Sequence, residues 1–218
     1  MRFQVRGPAT SAWTGIWVHG DEITARECLA RWVAEGVRGY FVDSTTRKVN
    51  AGDLVINPNR IFTREEVRHH LETANPAAPD QHLDHTTAAI ERDREIFLRD
   101  ILPDGDGVLV ALHNNFAGYA LAAEWPSARK IHLPEPDRPR DFFLTVQEQD
   151  YRTLSRGPYN VVWQQAGLPS DGSLSWAAQQ MGARYVNLEV DLGAETRQWE
   201  MLTYLRQALG DPTLTQQT

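Results

Sequence analysis

The sequence predicts an α/β fold, a central sheet flanked by helices, and three observations lead there. Short apolar runs alternate with amphipathic stretches along most of the chain. One run, Val108-Leu109-Val110-Ala111-Leu112, is apolar throughout, as a strand covered on both faces must be. Several of these runs end abruptly in polar, chemistry-bearing residues, and in open α/β sheets that edge is where ligands bind.

The 218 residues, 41% hydrophobic and 23% charged, suffice for one substantial core, so a single domain spanning 1–218 is expected. A net charge of −7 and the lack of any dense Lys/Arg block argue against nucleic acid or an anionic membrane as partner. A small molecule or short peptide is the expected partner, with a homo-oligomer left open. Cys28 is the only cysteine, so an internal disulfide is excluded, and its apolar helical neighbours suggest a packed thiol. The N-terminus lacks the apolar core of a signal peptide and no apolar run reaches membrane-spanning length. The expectation is a cytoplasmic protein, although a trimmed export signal would leave the same sequence.

In chain order, Gly15 to Val18 reads as a buried strand and Thr24 to Glu35 as a helix with Ala25, Cys28, Leu29, Trp32 and Val33 at helical spacing. His19 and Glu22 fall on the loop between them. An imidazole and a carboxylate three positions apart have metal-ligand spacing, and catalytic zinc commonly takes three protein ligands plus water. The four residues alone favour a plainer reading, with His19 bonded to a loop carbonyl and Glu22 in the first helical turn. Gly39 to Asp43 is a second strand, and Ser44 to Gly52 a hairpin or loop. Asp53 to Ile56 leads into Asn57-Pro58-Asn59-Arg60, where proline fixes the turn and sets an amide beside a guanidinium fork suited to a carboxylate. An arginine tying down its own loop fits these residues as well.

Thr63, with Glu66 three places on, has the capping-box pattern for a helix to Ala74. His69 and His70 on it face different sides and make poor joint ligands. A longer helix is expected from about His82 to Leu102. Asp104-Gly105-Asp106-Gly107 turns the chain into the apolar strand, which ends in His113-Asn114-Asn115. His113 is the best candidate for a third ligand, and Asn114 or Asn115 could orient ligands or substrate.

Tyr119 to Trp125 is expected to return as a strand and 126–141 to form an irregular loop. Strands at Phe142–Val146 and Asn160–Gln164 bracket a short helix over Glu148–Ser155, and Asp171-Gly172-Ser173 caps a helix through Met181. Arg184 to Val190 is the last strand and Glu195–Leu209 the last helix. Glu189 interrupts that strand, and a buried carboxylate is costly unless paired, hydrogen-bonded or used. Facing solvent or pairing with Arg184 is the alternative.

Taken together, Val18-His19-Gly20-Asp21-Glu22, Asn57 to Phe62, Ala111-Leu112-His113-Asn114-Asn115 and Leu188-Glu189-Val190 resemble the zinc carboxypeptidase superfamily, and more closely its aspartoacylase and succinylglutamate desuccinylase branch. Positions 22 and 113 lie 91 apart, which supports the branch over secreted carboxypeptidases. The resemblance implies a mixed, mostly parallel central sheet flanked by helices, a phosphorylase/hydrolase-like fold, and one Zn2+ per chain on His19, Glu22 and His113. It further implies Asn59 and Arg60 on a substrate carboxylate, Arg60 also counting as catalytic, and Glu189 as general base. A tyrosine and a second arginine are expected near the substrate, with Tyr119, Arg47 and Arg184 as candidates and Asn114 as a further substrate contact. The implied activity is zinc-dependent amide hydrolysis of a carboxylate-bearing substrate such as an N-acyl amino acid. A metallocarboxypeptidase or peptidoglycan-type amidase is the alternative, and a non-catalytic carboxylate-binding module the second. The branch usually continues into a β-rich C-terminal domain, whereas 29 residues follow position 189 of 218. The expectation is a more open site, or one covered by loop 126–141 or a partner subunit. Asn57 stands where the branch commonly has Asp.

Overall fold

A computed structural model describes residues 1–64, 66–103, 105–115, 118–212 and 214; Asp104, the first residue of the expected turn, lies outside them. Ten strands and six helices follow in order: β1 Phe3–Arg6, β2 Trp13–Trp17, α1 Ile23–Ala34, β3 Arg38–Val42, β4 Val49–Ala51, β5 Leu54–Ile56, α2 Val67–Ala74, α3 Asp80–Ile101, β6 Val108–Asn115, β7 Ala128–His132, β8 Phe142–Thr145, α4 Glu148–Leu154, β9 Asn160–Gln164, α5 Leu174–Gln180, β10 Arg184–Asp191 and α6 Glu195–Leu209. Eight strands form one sheet in the order β1-β3-β2-β6-β10-β8-β9-β7, and β4 and β5 form a separate hairpin. The centre, β3, β2, β6 and β10, is parallel; β8 runs against β10, and both edge strands are antiparallel to their neighbours. The fold is mixed, mostly parallel α/β, as the family resemblance implies.

The core follows from the strand sequences. All of β2, β6 and β8 is buried. Helices α1 and α6 pack together, α1 over β6 and α6 over β10, while α5 covers β10 from its own loop and α2 joins α3. Two aromatic rings of α1 and β2, Trp32 and Trp13, meet edge to face at 6.1 Å. Among the described residues no helix is long and apolar enough to cross a membrane.

Three elements depart from expectation. Residues Leu121–Ser127 form a 3-10 helix rather than a strand, since a short apolar run carries no period that separates the two. The expected loop 126–141 contains β7, an edge strand whose exposed residues leave no apolar alternation to read. Helix α2 begins at Val67 after Glu66, and Thr63 does not cap it; its hydroxyl bonds Ser170 Oγ at 2.8 Å.

What matters for the site is direction. Because β2, β6 and β10 are parallel neighbours in register, with Trp13 beside Val108 and Val108 beside Arg184, their C-terminal ends fall on one edge. That edge collects His19, His113 and Glu189.

Candidate metal centre

The loop from β2 to α1 presents His19 and Glu22, and its conformation depends on Gly20. A Cβ there would sit 2.4 Å from Ser44 O and 2.7 Å from Thr46 N. The backbone of 44–46 therefore lies directly on this glycine, with Gly20 N–H donating to Thr46 O at 3.1 Å. The same loop carries Arg47. Trp17 anchors the far side through its indole N–H to Glu22 O at 2.9 Å.

Glu22 sits between the two imidazoles. Its Oε1 lies 2.7 Å from His19 Nδ1 and its Oε2 2.8 Å from His113 Nδ1. All three side chains are buried, and one ligand atom from each lies within 4.8 Å of the others. Arg47 Nη1 also donates to Glu22 Oε1 at 2.9 Å from a half-exposed position. Burial would raise the Glu22 pKa, but the charges and hydrogen bonds of His113 and His19 outweigh it and hold the carboxylate well below its usual range. Burial depresses the His19 pKa. For His113 burial works the same way, yet the Glu22 charge prevails and raises it.

The hydrogen-bond network fixes the tautomer of His19. Asn59 N–H donates to Asn57 Oδ1 at 2.9 Å, which makes that atom the amide oxygen, and His19 Nε2 lies 2.9 Å from it. Nε2 must be the donor. A neutral His19 then turns a bare Nδ1 lone pair towards a carboxylate oxygen 2.7 Å away, an arrangement that a shared proton or a bound metal cation satisfies. Metal-bound histidines are held in the same way, with the remote N–H on a carbonyl or carboxylate oxygen. His113 Nε2, buried, has no partner among the described residues. Two imidazoles and a carboxylate are a donor set that suits zinc, and the residues fit it.

Strand alternation sorts the rest. On β6, His113 and Asn115 share one face and Asn114 the other; on β10, Tyr185, Asn187 and Glu189 share a face. Glu189 pairs in register with His113. Its Oε2 accepts from Asn115 Nδ2 at 3.1 Å and its Oε1 from Asn187 Nδ2 at 3.2 Å. Burial raises its pKa despite the opposing His113 charge and these two bonds. Asn114, by contrast, accepts from Ala25 N–H at 3.1 Å, satisfying an orphan donor in the first turn of α1 and so holding the helix that follows Glu22. Gln198 of α6 donates to His113 O at 2.8 Å.

A cavity of about 760 Å³ opens over these groups, with His19, Glu22, His113 and Glu189 in its lining and Asn59, Arg60 and Tyr119 around them. Asn59 Oδ1 accepts from Leu174 N–H at 3.0 Å, so this amide ties the loop to α5. Arg60 Nη1 donates to Asn59 O at 2.7 Å and Nη2 lies 3.4 Å from Asp171, so the guanidinium ties down its own loop while lining the cavity. Tyr119 OH donates to Glu124 at 2.5 Å, and burial together with the Glu189 and Glu124 charges raises its pKa. Arg184 is not brought to the site. It stands at the opposite end of β10, holding Asp150 through Nε at 3.2 Å and Nη2 at 2.7 Å, and it is absent from the cavity lining. Sequence reasoning named Asn115 only beside Asn114 and missed Asn187; both follow from the period-2 alternation that places them beside Glu189.

No protein-family model matches the sequence, and no curated protein is significantly similar to it. Solved structures do match. One is a succinylglutamate desuccinylase from Silicibacter sp. TM1040, with a TM-score of 0.52 at 16% identity over 95% of this chain and 60% of that one. The two share a fold over that length. A second is the apo structure of the ectoine utilization protein EutE (DoeB) from Ruegeria pomeroyi, with a TM-score of 0.50 at 16% identity, 95% coverage of this chain and 60% of that one. The chain thus spans 60% of the length of both structures. Its desuccinylase-like fold is in keeping with the branch that its four sequence motifs resemble.

Proposed function

We propose that the chain is a zinc-dependent amide hydrolase acting on a carboxylate-bearing substrate, an N-acyl amino acid being the simplest. The observation that carries this reading is the buried His19, Glu22 and His113 group facing the same cavity as a buried carboxylate, Glu189. Zinc held by those three side chains, one ion per chain, would supply a Lewis acid for the amide carbonyl and lower the pKa of water towards about 7.

The chain's own residues supply the proton chemistry and the grip. Glu189 takes the proton from the attacking water and returns it to the leaving nitrogen, and its raised proton affinity suits both steps. Asn115 and Asn187 hold its two oxygens from neutral amides, so its position is fixed without a compensating cation. Arg60 and Asn59 bind the substrate carboxylate. The Arg60–Asp171 contact is long and partly exposed, hence worth at most about 1 kcal/mol, and a substrate carboxylate can displace it. Tyr119 lines the cavity and reaches the substrate by turning its one O–H from Glu124 to it. Arg47 neutralises Glu22, and Asn114 positions the ligand loop through α1.

A larger substrate, a peptide or a peptidoglycan-type amide, is the second reading. It is favoured by the cavity's volume of about 760 Å³, in the upper part of the range of roughly 300–1,000 Å³ for small-molecule sites. A non-catalytic carboxylate-binding module is disfavoured because binding needs no buried base.

The test is elemental analysis of the purified protein beside His113→Ala. About one zinc per chain, lost in the variant, supports the reading and leads to assays of N-acyl amino acids against peptides. Zinc content indifferent to the variant, or no uptake from added zinc, would remove it.

A further inference from the structure

A second cavity, of about 420 Å³, lies between β1 and α3 on the other side of β3 from the metal centre, and the proposed hydrolysis makes no use of it. Part of its wall is apolar: Phe3, Ile90 and Phe97, with Phe3 and Phe97 stacked at 4.7 Å. His85, Thr86, Asp93 and Asp100 share the lining, and among its polar residues Arg94 stands out. Arg94 is 8% exposed, its Nη1 is buried without a partner, and among the described residues it forms no hydrogen bond or ion pair. A charged N–H so far removed from water is costly unless an acceptor meets it, and an anion meets it best.

The carboxylates nearby are committed elsewhere. Asp100, in the same lining, takes Arg38 Nη2 at 2.9 Å and the Tyr40 hydroxyl, also at 2.9 Å; Asp93 takes Arg92 Nε at 3.2 Å. They leave Arg94 without a counter-charge, and they make the rim unfavourable for a ligand with a second negative charge. The volume is that of a small-molecule site.

We propose that this cavity binds a small monocarboxylate with an apolar body, its carboxylate on the Arg94 guanidinium and its hydrocarbon along Phe3, Ile90 and Phe97. The ligand combines the one charge the site lacks with the surface its walls offer. Binding is independent of the metal centre, and Arg94 and Ala89 stand outside the proposed catalytic machinery.

The experiment is calorimetric titration of the whole chain with octanoate, octanedioate and 1-octanol, repeated on Arg94→Met and Ala89→Phe. Octanoate should saturate one site, with the dicarboxylate and the alcohol each weaker by about tenfold or more. Arg94→Met should lose octanoate by a similar factor yet melt no lower than the parent, since an unpaired buried charge has been replaced by an apolar chain. Ala89→Phe, which fills the groove and keeps Arg94, should lose binding as well. The proposal is overturned if octanoate fails to saturate, if it binds both variants unchanged, or if Arg94→Met melts well below the parent. It is also overturned if sedimentation shows a dimer that Ala89→Phe dissociates without octanoate uptake, because a second copy would then own the groove.

Discussion

The two ends of β10 carry charged residues five positions apart that are treated in opposite ways. At its N-terminal end, Arg184 grips the buried Asp150 with two nitrogens and bonds Asp106 O with a third. Every charge there has its opposite. At the C-terminal end, Glu189 is as deeply buried as Asp150 but receives only two amide N–H groups. The amide oxygens of Asn115 and Asn187 have no partners among the described residues. A strand terminus built for stability closes its electrostatics, and one built for chemistry leaves a proton acceptor open to a cavity.

Three substitutions test that contrast and one labelling experiment marks its boundary. Glu189→Gln keeps the shape and both amide neighbours yet removes the base. It should leave zinc content unchanged and cut kcat by about 10²–10⁴-fold, read in a steady-state assay on whichever amide proves to be a substrate. Full activity in that variant would take the role away from Glu189. Arg184→Met should do the reverse, lowering stability by about 1.5–3 kcal/mol in urea melts because Asp150 loses a charged partner, while zinc content and KM stay put. A change in KM would return Arg184 to the site. Gly20→Ala forces a Cβ into the 44–46 backbone and should cost about 1–3 kcal/mol, with weaker zinc retention against a chelator as Arg47 moves off Glu22. Unaltered zinc retention would mean that Arg47 does not support the ligand. Smallest is the effect at Cys28, whose thiol burial pushes up to about 12. It should resist a disulfide reagent at neutral pH until the protein unfolds, and rapid labelling of the native protein would contradict the packing of α1.

Much of this contrast is legible in the sequence, and the residues explain why. His19 and Glu22 stand out by spacing, His113 by ending the most apolar strand, and Glu189 by interrupting another. Each is a polar residue in a strongly patterned neighbourhood, so the pattern makes it visible. Arg184 has the same look from the sequence, because a guanidinium five residues before Glu189 carries no mark of which strand end it occupies. Only the direction of β10 decides. The edge strands β1 and β7 escape notice because none of their residues is buried and they carry no period-2 apolar signal. Asn57 is the reverse case: a residue that looks like a departure from the family pattern proves to set the tautomer of His19.

The register of the central strands also governs when the site can exist. Trp13 must find Val108, and Val108 must find Arg184, before His19, His113 and Glu189 share an edge. Parallel pairings between such distant segments close large loops and form slowly. During synthesis His19 and Glu22 leave the ribosome long before the last strand, so the nascent chain carries an imidazole and a carboxylate without His113 and Glu189 beside them. On the proposed reading metal capture belongs to the end of folding, and refolding in the presence of zinc should gain its metal with the same rate constant as its final burial of tryptophan.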